Sequence, residues 1–123
     1  MDVKQVIIVR NDIGMSCGKI AVQVAHASIG FLTKPIRDNI PVDLTEEEIY
    51  WIHHSFTKIC VCVNSEEKLN KIYDQALNAG IKVSIVIDSG KTEFHGEPTA
   101  TCIALGPDLI SKIDEITGNL ELL

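Results

Sequence analysis

The chain has 123 residues, with 11 Lys plus Arg against 17 Asp plus Glu, a net charge of −6, 46 % apolar residues and only 5 % aromatic ones. That much apolar material excludes a disordered tail, and no apolar run approaches the ~18 residues of a membrane span. The acidic balance counts against a generic nucleic-acid binder, since such domains are usually basic.

On length the chain is expected to form one domain over residues 1–123. Gln5-Val6-Ile7-Ile8-Val9-Arg10 is an apolar, β-branched run that reads as a buried first strand. Residues 11–18 read as a turn. A helix is predicted over about 18–32, with Ile20, Val24, Ala27 and Phe31 at helical spacing and Lys19 as its only charge, so most of it should be buried or face a partner. Pro35 and Pro41 bracket a predicted loop. Thr45-Glu46-Glu47-Glu48 is a capping box that opens a second helix running to about Ser55.

A second strand follows over residues 57–63. Ser65-Glu66-Glu67 opens a helix with Leu69, Ile72, Tyr73 and Ala76 on one stripe and Gly80 as its stop. Residues 83–87 read as a third strand, 88–98 as a polar loop and 101–105 as a fourth strand. Gly106-Pro107-Asp108 is expected to start a last helix carrying Leu109, Ile113 and Ile116.

Strands alternating with helices predict an α/β sheet with helices on both faces. Helical connections make the first three strands parallel, and the short connection between the third and fourth turns the fourth around. Ligands of such sheets bind at the carboxyl ends of the strands. The turn before Lys19, the loop after Asp88 and the start of the fourth strand all meet there. Lys19, Asp88, Thr92 and Thr101 should therefore converge.

Lys19, Gln23, His26 and Gly30 fall on a narrow arc of the first helix. A solvated stripe and a site explain this about equally well, and the absence of Asp or Glu on the helix favours the site. Asp88 is either a turn former or, opposite Lys19, a carboxylate that orients water against an ester. Gly14-Met15-Ser16-Cys17-Gly18-Lys19 has the look of a phosphate loop. It is one residue short of that motif, and Ile20 stands where the Ser or Thr should be. Cys17, Cys60, Cys62 and Cys102 form no CxxC pair, and His26, His53, His54 and His95 have no ligand spacing, so reduced structural thiols are expected. The start Met1-Asp2-Val3-Lys4-Gln5 lacks a signal pattern, so the chain is expected to stay in the cytoplasm.

Four stretches together resemble the type II peptidyl-tRNA hydrolase family. Gly18-Lys19-Ile20-Ala21-Val22-Gln23-Val24-Ala25-His26-Ala27 is similar to its G-K-x-A-x-Q-x-x-H-A helix. Asp88-Ser89-Gly90-Lys91-Thr92-Glu93 is similar to its D-A-G-[RHK]-T-[QE] loop. Thr101-Cys102-Ile103-Ala104-Leu105-Gly106-Pro107 and Thr117-Gly118-Asn119-Leu120-Glu121-Leu122-Leu123 resemble its T-V-L-A-I-G-P strand and closing T-G-H-L-K-L-L. The resemblance implies a three-layer α/β/α fold with a four-stranded mixed sheet, one strand antiparallel. It also implies hydrolysis of the ester joining a peptide to the terminal ribose of tRNA, with no metal or organic cofactor and with dimers common.

The family's catalytic positions fall on Lys19, Asp88, Thr92 and Thr101. Gln23, His26, Arg10, Lys91 and Gly90 are the expected substrate contacts. Ser89 replaces the usual Ala, Asn119 and Glu121 replace His and Lys, and residues 33–57 match poorly. The stretch from Thr92 to Thr101 is one residue longer than usual, which makes Thr99 a rival hydroxyl.

The alternatives are a hydrolase-like module that binds tRNA or a protein without cleaving, and a degenerate phosphate-loop protein. Arg10, Lys19, Lys34, Arg37 and Lys91 are expected to form a basic strip at the active edge for the acceptor end of peptidyl-tRNA, with affinity falling as salt rises.

Overall fold

The apolar run near the start of the chain forms β1 (Val3–Arg10), buried along almost its whole length. The computed structural model describes residues 1–90 and 96–123. After β1 come α1 (Cys17–Arg37), α2 (Glu46–His53), β2 (Lys58–Val63), α3 (Glu66–Asn78), β3 (Val83–Asp88), β4 (Thr99–Leu109) and α4 (Ile110–Thr117), in the expected order. The sheet runs β2-β1-β4-β3. β1 and β2 are parallel, and β4 is antiparallel to both β1 and β3. β4 is reversed as expected, but it lies inside the sheet, so β3 meets neither of the strands it runs parallel to. The carboxyl ends of β1, β2 and β3 still share one edge, and β4 sets out from it.

Side chains alternate across the sheet and build a layer on each face. Val6, Ile8, Ile103 and Leu105 pack with Leu69, Ile72 and Ala76 of α3 and Ile113 of α4. Ile7, Val9, Cys102 and Ala104 face the other way, against Ile20, Val24 and Ala27 of α1. Phe31 of α1 and Trp51 of α2 meet edge to face at 5.9 Å beside Val3, so α2 shares the α1 face. Helices on both faces of a four-stranded mixed sheet make the α/β/α fold. Among the described residues, no helix is long and apolar enough to cross a membrane.

Local signals place most boundaries. Thr45 accepts from the Glu48 N–H while Glu48 accepts from the Thr45 N–H, a complete capping box. Ser65 caps α3, and Gly80 follows its end with a φ of 73°.

Two expectations are corrected. α1 does not stop near Leu32; it runs through Pro35 to Arg37, held by Phe31 packing and by Asp38 and Ile40 N–H groups on the Lys34 and Pro35 carbonyls. Gly106-Pro107-Asp108 does not start α4 but continues β4. A bulge opposite Lys4–Val6 absorbs an extra residue there and accommodates a proline without an N–H. The last residues, for which no element was expected, add to the sheet. Leu122 bridges Val61, and the Cys62 and Leu123 N–H groups donate to Glu121 and Cys60 carbonyls at 2.9 and 3.2 Å, covering the outer edge of β2.

Candidate functional site

Ser16 caps α1 by accepting the Lys19 N–H at 3.2 Å, which starts the helix just below the edge where β1 ends. Lys19 Nζ then reaches Asp88 Oδ1 at the end of β3, at 2.5 Å and across 69 residues of sequence. The second carboxylate oxygen accepts the Gly90 N–H at 2.8 Å. The Lys19 hydrogen bond first, and the Gly90 N–H second, hold the Asp88 carboxyl below the usual carboxylate range. Asp88 is therefore an ionised acceptor that orients what lies before it, and a poor acceptor of a whole proton.

Gly90 is required on two counts. Its φ is 82°, and a Cβ there would lie 2.2 Å from the Glu97 carbonyl oxygen. Its own carbonyl accepts the Gly96 N–H at 2.8 Å, which draws residues 90 and 96 together.

A bulge in β4 builds the floor of the site. Val86 pairs with Cys102 but Ile87 pairs with Ala100, so Thr101 is the residue left over. Neighbours in a regular strand point to opposite faces, whereas a bulge lets two of them share one. Both Thr101 and Cys102 meet α1: Gln23 Nε2 donates to Thr101 Oγ1 at 3.1 Å, and Cys102 Sγ donates to the Gln23 carbonyl at 3.4 Å. The Thr101 hydroxyl lies 3.4 Å from the Val86 carbonyl as its donor. Gln23 and Thr101 are both fully buried.

Thr99 is the register partner of Asp88, half-buried at the rim, where its hydroxyl donates to the Glu97 carbonyl at 3.0 Å. The two rival hydroxyls thus take different places, Thr99 beside Asp88 and Thr101 deeper, under Gln23. Burial pushes the Cys102 thiol up to about 11, so this neighbour of the site is no nucleophile.

The remaining expected residues divide. Gln23 and Gly90 join Lys19, Asp88 and Thr101, while His26 is exposed on α1. Arg10 is buried, and its guanidinium donates to Asp12 and, at 3.1 Å, to the Ala100 carbonyl inside the bulge. It also pairs with Glu66 of α3, which puts it on the sheet face opposite α1. Its residue type at the end of β1 gave no sign of that role, because a bulge carbonyl leaves no mark in the sequence. Lys34 and Arg37 lie in the last turn of α1, roughly 22 Å and 27 Å along the helix from Lys19 at 1.5 Å per residue. The expected basic strip is therefore corrected: these two belong to the other end of the molecule. Thr92 and Lys91 lie outside the described residues. Among the described residues, no three His, Cys, Asp or Glu side chains gather closely enough to hold a metal ion.

A family model described as peptidyl-tRNA hydrolase PTH2 matches residues 3–123, including the 33–57 stretch that resembles the family least. The chain is 42 % identical to a peptidyl-tRNA hydrolase of Sulfurisphaera tokodaii over 125 residues, covering all of both chains. It is 46 % identical to one of Nanoarchaeum equitans, covering 98 % of each. With one of Methanothermobacter thermautotrophicus it shares 43 % identity, covering 98 % of this chain and 99 % of the other. A solved protein of unknown function from Agrobacterium tumefaciens strain C58 superimposes with a TM-score of 0.62, over 100 % of this chain and 98 % of that one. At 15 % identity the likeness is one of fold alone.

Proposed function

The chain belongs to the peptidyl-tRNA hydrolase PTH2 family, and on that premise we propose that it hydrolyses the ester between a peptide and the 3′-terminal ribose of tRNA at the Lys19–Asp88 pair. One observation carries this placement: two residues 69 positions apart meet at 2.5 Å on the strand edge where α/β sheets bind ligands. Asp88 is held ionised by Lys19 and Gly90 and orients a water by accepting its hydrogen bond. The water oxygen bonds to the ester carbonyl carbon, the bond to the ribose oxygen breaks, and the water's proton passes to that oxygen. The Lys19 ammonium stabilises the negative charge on the carbonyl oxygen in between. Gln23 and Thr101 act as positioning residues beneath the pair, and Thr99 supplies the hydroxyl at the rim. Thr92 and Lys91 enter on the strength of the sequence motif alone.

The phosphate-loop alternative gains no support, since Ser16 already takes the Lys19 N–H of the first turn and Lys19 is paired with Asp88. Purified protein incubated with N-acetyl-aminoacyl-tRNA and with free aminoacyl-tRNA should release the blocked amino acid selectively. Retained tRNA binding without release would leave a binding module instead.

The proposal places the protein in the cytoplasm, whose reducing conditions suit four free cysteines, Cys17 exposed among them. It also includes a homodimer, supported by exposed Val22, Ala25 and Ile29 on α1. Sedimentation should show a dimer that Val22→Asp separates.

A further inference from the structure

The two edges of the sheet are finished differently. The outer edge of β2 is covered by the end of the chain, through the Leu122 bridge to Val61. β3 is the last strand on the other side, and among the described residues no strand lies beyond it. Its sequence, Val83-Ser84-Ile85-Val86-Ile87-Asp88, holds neither the Lys nor the Pro with which proteins usually blunt an open edge.

The direction of its backbone groups follows from the hydrogen bonds. The Lys82 carbonyl accepts from Gly106, and the Val86 carbonyl accepts from the Thr101 hydroxyl, so even-numbered residues turn towards β4. The N–H and C=O groups of Ile85 and Ile87 therefore turn outward. Their side chains are 38 % and 60 % exposed. This edge runs straight into the site, because β3 ends at Asp88. At its other end it meets a cavity of about 270 Å³ lined by apolar residues such as Phe31, Ile40 and Val42 and also by the charged Lys34, Asp38 and Lys82.

We propose that the free edge of β3 binds the peptide part of the substrate by parallel strand addition, an inference that rests on the hydrolase function above. The peptide's esterified carboxyl end lies at Asp88, so its chain runs back along β3 in the same direction as the strand. The outward groups of Ile85 and Ile87 pair with the peptide backbone, which every peptide possesses whatever its side chains. At ~3.3 Å per residue, Ile85 lies about 10 Å from Asp88 and Ser84 about 13 Å. Ile87, one residue from Asp88, is within reach of a single blocked amino acid, whereas only a peptide of about five residues reaches Ile85 and the cavity beyond it.

The test compares kcat/KM for N-acetyl-pentapeptidyl-tRNA with that for N-acetyl-aminoacyl-tRNA carrying the same tRNA and the same esterified residue. The wild type should prefer the pentapeptide about tenfold, chiefly through KM. Ile85→Pro and Ile87→Pro each remove one outward N–H, and an edge strand accepts proline at such positions. Ile85→Pro should pull the preference towards one and Ile87→Pro should lower kcat/KM for both substrates, while Ile85→Val keeps the preference. A pentapeptide N-methylated at its backbone amides should lose the preference on the wild type, a check independent of any variant's folding. Equal kcat/KM for the two natural substrates, or a preference that survives N-methylation, overturns the proposal. So does a dimer that Ile87→Pro splits into monomers, which would give the edge to a second copy. Cleavage of neither substrate by the wild type removes the hydrolase function itself, an outcome separate from the loss of the preference alone.

Discussion

α1 carries a Lys–Asp pair at each end, and the two differ in everything but chemistry. At the start, Lys19 meets Asp88 at 2.5 Å with side chains 15 % and 12 % exposed, linking a helix to a strand 69 residues away. At the end, Lys34 meets Asp38 at 3.2 Å with side chains 75 % and 47 % exposed, four residues along the same helix. A local exposed pair of this kind contributes about 0.3–0.5 kcal/mol and is weakened by salt. The Lys19–Asp88 pair is screened far less, stands over the buried Gln23–Thr101 link, and fixes both Asp88 oxygens with the help of Gly90. The same two residue types make a surface contact in one place and a preorganised charged site in the other, and the fold alone decides which.

The largest effect expected is at the first pair. Asp88→Asn and Lys19→Ala should each lower kcat on N-acetyl-aminoacyl-tRNA by about 10²–10³-fold, with the fold intact by circular dichroism. Near-normal turnover in both would break the distinction between the two ends. The pH profile sharpens it. Asp88 is held below its ordinary value, so it stays ionised until the pH falls through that lowered value. Its share of stability is likewise present above its unfolded value and lost on the same descent. The kcat/KM profile should therefore show no acid limb from Asp88 above about pH 4. A limb near neutrality that disappears in Asp88→Asn would instead make this carboxylate a raised-pKa general base.

A smaller effect separates the two hydroxyls. Thr101→Val leaves the buried Gln23 amide without its acceptor and should cost about 1–3 kcal/mol of stability in denaturant unfolding, with about a tenfold loss of activity. Thr101→Ser should restore both. Thr99→Val should lower activity while leaving stability within about 0.5 kcal/mol, since it removes only a rim hydroxyl. Equal stability losses at the two positions would remove the difference in depth.

Much of this was legible because it is local. Strand and helix periods place every element, the Thr45 capping box places α2, and strand direction alone brings Lys19 to Asp88. What escaped depends on contacts distant in sequence. Nothing in the apolar strand runs says that β4 inserts between β1 and β3. Thr99 and Thr101 are both hydroxyls near one edge, and only the pairing of Ile87 with Ala100 shows which is the extra residue. Arg10 at a strand's end has the look of a substrate contact, yet its guanidinium is spent on Asp12 and the Ala100 carbonyl. Pro35 reads as a helix stop, but Phe31 buried against Trp51 stabilises the turn around it. A helix that stopped near Leu32 would leave Lys34 and Arg37 free to reach the active edge, and the additional turn carries them away from it.

The position of these two residues gives the smallest expected effect. Had Lys34 and Arg37 belonged to a basic strip contacting tRNA phosphates, Lys34→Ala with Arg37→Ala would raise KM and flatten its salt dependence, each lost contact removing about 0.7–0.9 from the slope of log affinity against log salt. The structure puts both side chains in the last turn of α1, where they favour the helix C-terminus and where Lys34 already pairs with Asp38. The double variant should therefore keep the wild-type KM and salt slope on N-acetyl-aminoacyl-tRNA and lose only a few tenths of a kcal/mol of stability. A slope shallower by one or two units would mean that the acceptor stem extends down the whole length of α1, and the two ends of that helix would then share one substrate.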